Sequence, residues 1–130
     1  MSSSEAVTHG VRVQAESQYV PEQSDPTKGL YFFAYQIRIS NEGDEPVQLI
    51  SRHWVITDKS GHVEEVKGPG VIGEQRVIEP CEYHEYTSFC PLKTVSGSMY
   101  GTYQMVTESG KSFDVEIAPF QLSYSREMLH

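Results

Sequence analysis

The chain has 130 residues, 38% of them hydrophobic, including eight tyrosines, five phenylalanines and one tryptophan, and its formal net charge is −8. A chain of that size can bury a sizeable core without a metal or disulfide staple, and its aromatic content favours strands. Eighteen acidic against ten basic side chains create a field that repels nucleic acid and anionic lipid, so direct nucleic-acid binding is not expected.

No apolar run approaches the roughly 20 residues of a membrane span. The start Met1-Ser2-Ser3-Ser4-Glu5 lacks the basic and apolar regions of a signal peptide, so a cytoplasmic location is expected. Residues 1–9 read as a flexible N-terminal segment, and residues 10–130 as one domain.

From Gly10 onward the pattern has period two, and the spacing of three and four that a long helix requires is not evident. Val11, Val13 and Ala15 alternate with polar residues and predict a first strand running to Val20. The polar segment from Pro21 to Gly29 predicts a loop. A strong second strand follows over Leu30 to Ser40, with Phe33, Tyr35, Ile37 and Ile39 on one face. Asn41-Glu42-Gly43-Asp44 turns the chain.

Pro46 opens a third strand carrying Val47, Leu49, Trp54 and Ile56. The alternation changes phase across Ser51-Arg52-His53, which is the mark of a bulge. Asp58-Lys59-Ser60-Gly61 predicts a hairpin turn into a strand from His62 to Val66. Gly68 to Gly73 reads as loop, Arg76 to Ile78 as a short strand, and Glu79-Pro80 as a break.

Glu82 to Phe89 alternates with weak contrast, placing Tyr83, Glu85 and Thr87 opposite His84, Tyr86 and Ser88. Gly97 to Thr107 puts Met99, Gly101, Tyr103 and Met105 on one face. Glu108-Ser109-Gly110-Lys111 turns into Phe113, Val115 and Ile117, and beyond Pro119 the tail Phe120 to Tyr124 is compatible with an edge strand. Seven to nine short strands with turns at intervals of about 8 to 12 residues predict an all-β, two-sheet antiparallel sandwich.

Cys81 and Cys90 are nine residues apart on or beside one strand, so they are separated by about 30 Å if it runs straight. A disulfide needs Cα atoms within about 7 Å, so both thiols are expected free.

Gly68 to Gly73 spells G-x-G-x-x-G. In a dinucleotide fold such glycines let backbone approach a pyrophosphate at a helix N-terminus, but here the following segment reads as strand and supplies no helix. Two readings remain for the loop. One is a glycine-dependent turn; the other is a backbone nest for a small anion built from Lys67, Gly68, Gly70, Val71, Gly73 and Arg76.

Five histidines raise a metal reading. His62 with Glu64, and Glu82 with His84, have the two-residue spacing that places two ligands on one strand face, although two ligands do not complete a site. Solvated strand faces account for both pairs equally well. No G-x-S-x-G elbow or local cysteine signature is present, so no catalytic residue is assigned and the chain reads as non-enzymatic. Tyr31, Phe32, Tyr35, Tyr83, Tyr86, Tyr100 and Tyr103 are too many for one core, and those that reach the surface favour an interface.

Six segments, in this order, carry a resemblance to a known family. They are Tyr31-Phe32-Phe33-Ala34-Tyr35, Pro46-Val47-Gln48-Leu49, Arg52-His53-Trp54-Val55-Ile56-Thr57, Gly68-Pro69-Gly70-Val71-Ile72-Gly73-Glu74-Gln75, Tyr86-Thr87-Ser88 and Gly97-Ser98-Met99-Tyr100-Gly101-Thr102-Tyr103. Together they resemble the bacterial ApaG family, also called CorD, over roughly residues 11–130.

The resemblance implies a fibronectin type III-like (immunoglobulin-like) sandwich and a binding or regulatory role. Related domains occur beside an F-box ubiquitin-ligase subunit and in a protein that interacts with a DNA polymerase, and bacterial members are linked to cobalt resistance and magnesium efflux. It implies no catalytic residues and no resident cofactor. A protein partner is therefore expected, with a second copy of the chain among the candidates. A phosphate-containing anion at the glycine loop, or a divalent metal, is the alternative ligand.

Overall fold

A computed structural model describes residues 2–71 and 73–124. Ile72 within the glycine loop and residues 125–130, which include His130, lie outside the described residues. Nine strands are described: β1 (Ser2–Thr8), β2 (Val11–Tyr19), β3 (Tyr31–Asn41), β4 (Val47–Asp58), β5 (Val63–Pro69), β6 (Val77–Ile78), β7 (Tyr83–Leu92), β8 (Ser96–Thr107) and β9 (Ser112–Ser123). They form two antiparallel sheets, one in the order β1-β2-β3-β7 and the other in the order β5-β4-β8-β9, with β6 also pairing β4. The expected two-sheet sandwich is therefore the fold.

The period-two faces fold as the alternation requires, because successive side chains on a strand point to opposite sides. Val11, Val13 and Ala15 of β2 and Phe33, Tyr35, Ile37 and Ile39 of β3 are buried against Leu49, Trp54, Met99, Tyr103 and Met105 of the other sheet. Both sheets thus share one core.

Two bulges change the phase of strands that a simple alternation would misplace. On β4, Leu49 pairs with Met105 and Ser51 with Gln104, so Ile50 is the extra residue. This shift brings both Leu49 and Trp54 inward although an odd number of steps separates them, and the break falls at the edge of the expected segment. On β9, Ile117 pairs with Gly101 and Phe120 with Met99. Ala118-Pro119 absorbs the extra residue, and β9 continues through the proline instead of breaking there. An edge-strand bulge tolerates proline because no ladder hydrogen bond is needed at that point.

The N-terminal expectation is corrected. Ser2–Thr8 is a strand, paired along its whole length with β2 from Ser2↔Ser17 to Thr8↔Val11. Its inward positions are Ser2, Ser4, Ala6 and Thr8, too polar and small to register as an apolar stripe. The three hydroxyl residues among them bond to β9: Ser4 Oγ donates to Ala118 O at 2.7 Å, and the Gln121 and Glu116 amides donate to Ser2 Oγ and Thr8 Oγ1 at 2.9 and 3.1 Å. The turn is His9-Gly10, with φ of 49° and 78°, the doubly left-handed geometry of a tight hairpin.

The loop from Pro21 to Gly29 contains two short 3-10 turns, Pro21–Gln23 and Pro26–Lys28. β5 extends further than expected, so Lys67, Gly68 and Pro69 are strand residues and not loop. Cys81 is exposed and Cys90 buried, and both are free.

Candidate functional site

The two sheets meet differently along their two sides. Where β1 and β2 meet β9, the seam is stitched by hydroxyls: besides the β1 bonds above, the buried Ser17 donates to Gln121 O at 2.6 Å. Where β7 faces β5, both strands are sheet edges, and between them a cleft of about 370 Å³ enters the sandwich.

The cleft follows from the β4 bulge. Once Ile50 has shifted the phase, Arg52, Trp54 and Ile56 lie on the inward face of β4, opposite Gly68, Val66 and Glu64 of β5. Trp54 lines the cleft and is only 2% exposed. Its ring meets Tyr35 edge-on with centroids 5.4 Å apart, and Phe120 at 6.0 Å. Among the described residues, its Nε1 is the buried side-chain polar atom without a hydrogen-bond partner. From β7, Ser88 and Cys90 line the opposite wall.

Burial sets the protonation states here. It pushes the Cys90 thiol up to about 12, helped by the Glu64 carboxylate. Burial also raises the Tyr35 phenol, against a lowering hydrogen bond from Ser88. Deeper in the core, the Tyr86 and Tyr103 hydroxyls bond each other, and burial raises both phenols well above their ordinary value.

The glycine loop is tightly tied to the β4 bulge. The Gly70 amide donates to Ile50 O at 2.8 Å, and the Val71 amide to Glu74 O at 2.9 Å. Arg52 Nη1 donates to the Pro69 and Gly70 carbonyls, both at 3.1 Å. A Cβ on Gly70 would fall 1.9 Å from Glu74 O, in a backbone with φ of +53°, and one on Gly68 would touch the Arg52 guanidinium at 3.1 Å. Both glycines therefore have steric reasons that involve no ligand, and two of the amides expected to face an anion already have carbonyl acceptors. Lys67 stands opposite His53 in the β4–β5 ladder. Gly73 has a positive φ in open space.

The remaining candidates are dispersed. Arg76 Nη1 lies 3.1 Å from His84 Nδ1, and its Nε lies 3.7 Å from Glu74, so one residue expected at an anion and one expected at a metal instead meet each other. Partial burial, and then the Arg76 charge, lower the His84 pKa. Glu82 accepts the Glu79 amide at 3.2 Å. His62 lies in the turn before β5, its amide bonded to Asp58, while Glu64 stands at the cleft. Among the described residues, no three His, Cys, Asp or Glu side chains gather as a metal cluster. No helix among them is long and apolar enough to cross a membrane.

The outer face of the β7 sheet carries two aromatic contacts near the ends of that strand. Phe89, 55% exposed, stacks on Phe32 at 5.5 Å, and Tyr83, 56% exposed, lies under the Arg38 guanidinium at 4.2 Å. The sequence identifies Trp54 as a core anchor and requires some of its many aromatics to reach a surface, without saying that Tyr83 is one of them, and it does not assemble the cleft. The available signal was the phase: after the bulge, Arg52 and Glu64 become charged residues on inward faces, which marks a place where the core is open.

The class defined by these features is a fibronectin type III-like β-sandwich with one closed and one open seam. A family model described as the ApaG domain matches residues 21–107. Protein ApaG of Anaeromyxobacter dehalogenans strain 2CP-C is 53% identical over 119 residues, covering 92% of this chain and 94% of its own. Protein ApaG of Bordetella pertussis is 50% identical over 120 residues, covering 92% of each. A crystal structure described as the putative ApaA protein from Bordetella pertussis superposes with a TM-score of 0.87 at 52% identity, covering 89% of this chain and 94% of that one. The chain belongs to the ApaG family.

Proposed function

We propose that this chain is a non-enzymatic protein-binding module whose partner lies along the free edge of β7. The observation that carries this reading is the contrast between sheet edges. β9 is bulged, and its edge groups are bonded by β1 side chains, which is how natural sheets suppress unwanted pairing. β7 is ten residues long, has no bulge in its pairing with β3, and holds its single proline near its end. An edge of that kind is a template for strand addition, in which backbone bonds give affinity and alternate side chains give specificity.

Exposed Tyr83 and Phe89 supply the aromatic anchors enriched in interfaces. The anion reading of the glycine loop ranks lower, because Gly70 and Val71 already donate to carbonyls. A link to cobalt resistance or magnesium efflux would then be indirect, through the partner.

The test is quantitative capture of partners by the wild-type chain and by the Tyr83→Asp/Phe89→Asp double variant. A partner retained by wild type and lost by the folded double variant supports the reading. Equal retention by both would place the contact elsewhere. Sedimentation of the same two proteins decides whether a second copy of the chain is that partner.

A further inference from the structure

We infer that β7 pairs antiparallel with β7 of a second copy of this chain, about a two-fold axis at Tyr86. This rests on the β7 reading proposed above and names the partner. The ladder on the other side of β7 fixes which of its backbone groups are free. Hydrogen-bonding direction alternates along a strand, and the Asn41 amide donates to Glu82 O at 3.0 Å, one step beyond the Ser40↔Tyr83 pair of the β3–β7 ladder. Glu82, His84, Tyr86, Ser88 and Cys90 therefore turn their backbone groups towards β3, and Tyr83, Glu85, Thr87 and Phe89 turn theirs outward. No described loop or strand bonds those outward groups.

The outward row is self-complementary, which is what a two-fold contact between identical surfaces requires. Tyr83 and Phe89 lie equally far on either side of Tyr86, so the axis sets each against the other in the second copy, with Glu85 against Thr87. Every outward N–H and C=O from Tyr83 to Phe89 then has a partner. The next outward positions, Cys81 and Pro91, are also equidistant from Tyr86. Pro91 has no N–H to offer, and Cys81, at φ 69°, has left the strand with its amide bonded to Asn41 O at 2.9 Å. Both ends of the row thus stop together.

The neighbouring registers lack this match. An axis at Thr87 sets Pro91 against Tyr83 and loses bonds, and an axis at Glu85 sets two carboxylates directly opposite, which is unfavourable. With the axis at Tyr86, Glu85 stays neutralised by Arg38 Nε of its own chain at 2.9 Å. Tyr83 and Phe89, 56% and 55% exposed, form aromatic cross-strand pairs, which are among the favourable ones. Each pair joins the Phe32–Phe89 stack of one copy to the Arg38–Tyr83 contact of the other.

Sedimentation equilibrium of the full chain should show free monomer at about 1 µM and mostly dimer at about 1 mM, as suits an interface at the small end of the range. Thr87→Pro removes an outward amide and leaves the β3 ladder intact, so it should raise the dissociation constant at least about tenfold. Tyr83→Lys and Phe89→Glu test the register. Each should weaken self-association, and a mixture of the two chains should associate at least about tenfold more tightly than either alone, because the new charges meet only when positions 83 and 89 face each other.

A chain still monomeric at about 1 mM, an unchanged dissociation constant for folded Thr87→Pro, or no gain on mixing would each overturn the inference. A monomeric chain that captures a different partner, and loses it through Tyr83→Asp/Phe89→Asp, would overturn self-pairing and leave the edge reading standing.

Discussion

The two seams of this sandwich are made of the same kinds of strand and end in opposite states. At the β1–β9 side, small hydroxyl side chains bring the sheets together and bond the edge backbone of β9, with Ser4, Ser17, Ser2 and Thr8 each reaching a β9 main-chain group. At the β5–β7 side, partly buried Arg52 and exposed Glu64 stand on the faces of β4 and β5 that line the open cleft. Closure depends less on apolar area than on whether inward residues near the edges are small and can bond backbone. The first seam should therefore respond to mutation through stability, and the second through binding.

The largest effect is expected at Trp54, which both seals the core and floors the open seam. Trp54→Ala should cost about 3 kcal/mol in denaturant melts, as loss of a buried aromatic does. A cost near zero would mean that the cleft side of the ring makes no packing contribution.

At the closed seam, Ser17→Ala removes a donor from Gln121 O at a position only 3% exposed. It should cost about 1 to 2 kcal/mol and leave partner capture unchanged. At the open seam the pattern should invert: Tyr83→Asp and Phe89→Asp, which give up one exposed aromatic contact each, should each cost no more than about 1 kcal/mol while reducing capture. Substitutions at both seams that altered stability alike would erase the distinction.

The smallest effect concerns acid. His84 has its pKa lowered in the fold by burial and by Arg76, so the unfolded chain takes up that proton first. The stabilisation from a neutral His84 is fully present above the unfolded value, near 6.5, and is lost as pH falls from there through the lowered folded value. His84→Gln should flatten the dependence of Tm on pH below about 6.5. Identical slopes for the two proteins would assign the acid sensitivity to other groups.

Much of this was legible in residues whose period-two faces are apolar. Phe33 through Ile39 and Met99 through Met105 could be placed on the correct faces from alternation alone, and the phase change near Ser51 located the β4 bulge to within a residue or two. β1 escaped notice because its inward face is serine, alanine and threonine, which pack by hydrogen bonding and leave no hydrophobic signature. The extent of β5 was missed because Gly68 and Pro69 read as loop chemistry. There, a Cβ on Gly68 would press on the Arg52 guanidinium at 3.1 Å, a contact set by cross-strand register. The cleft was hidden for a related reason: Arg52, Trp54, Glu64 and Cys90 come together only when three strands and a bulge are set.

The central claim is that one seam is closed by the chain itself while the other presents an edge, that of β7, left unpaired among the described residues. Residue-resolved hydrogen exchange on the free protein tests it most directly. The Gln121 and Glu116 amides, bonded to Ser2 and Thr8, should be protected, whereas the alternate amides on the outer edge of β7 between Tyr83 and Leu92 should exchange at nearly the unstructured rate. Outer β7 amides as well protected as Gln121 and Glu116 would contradict the account.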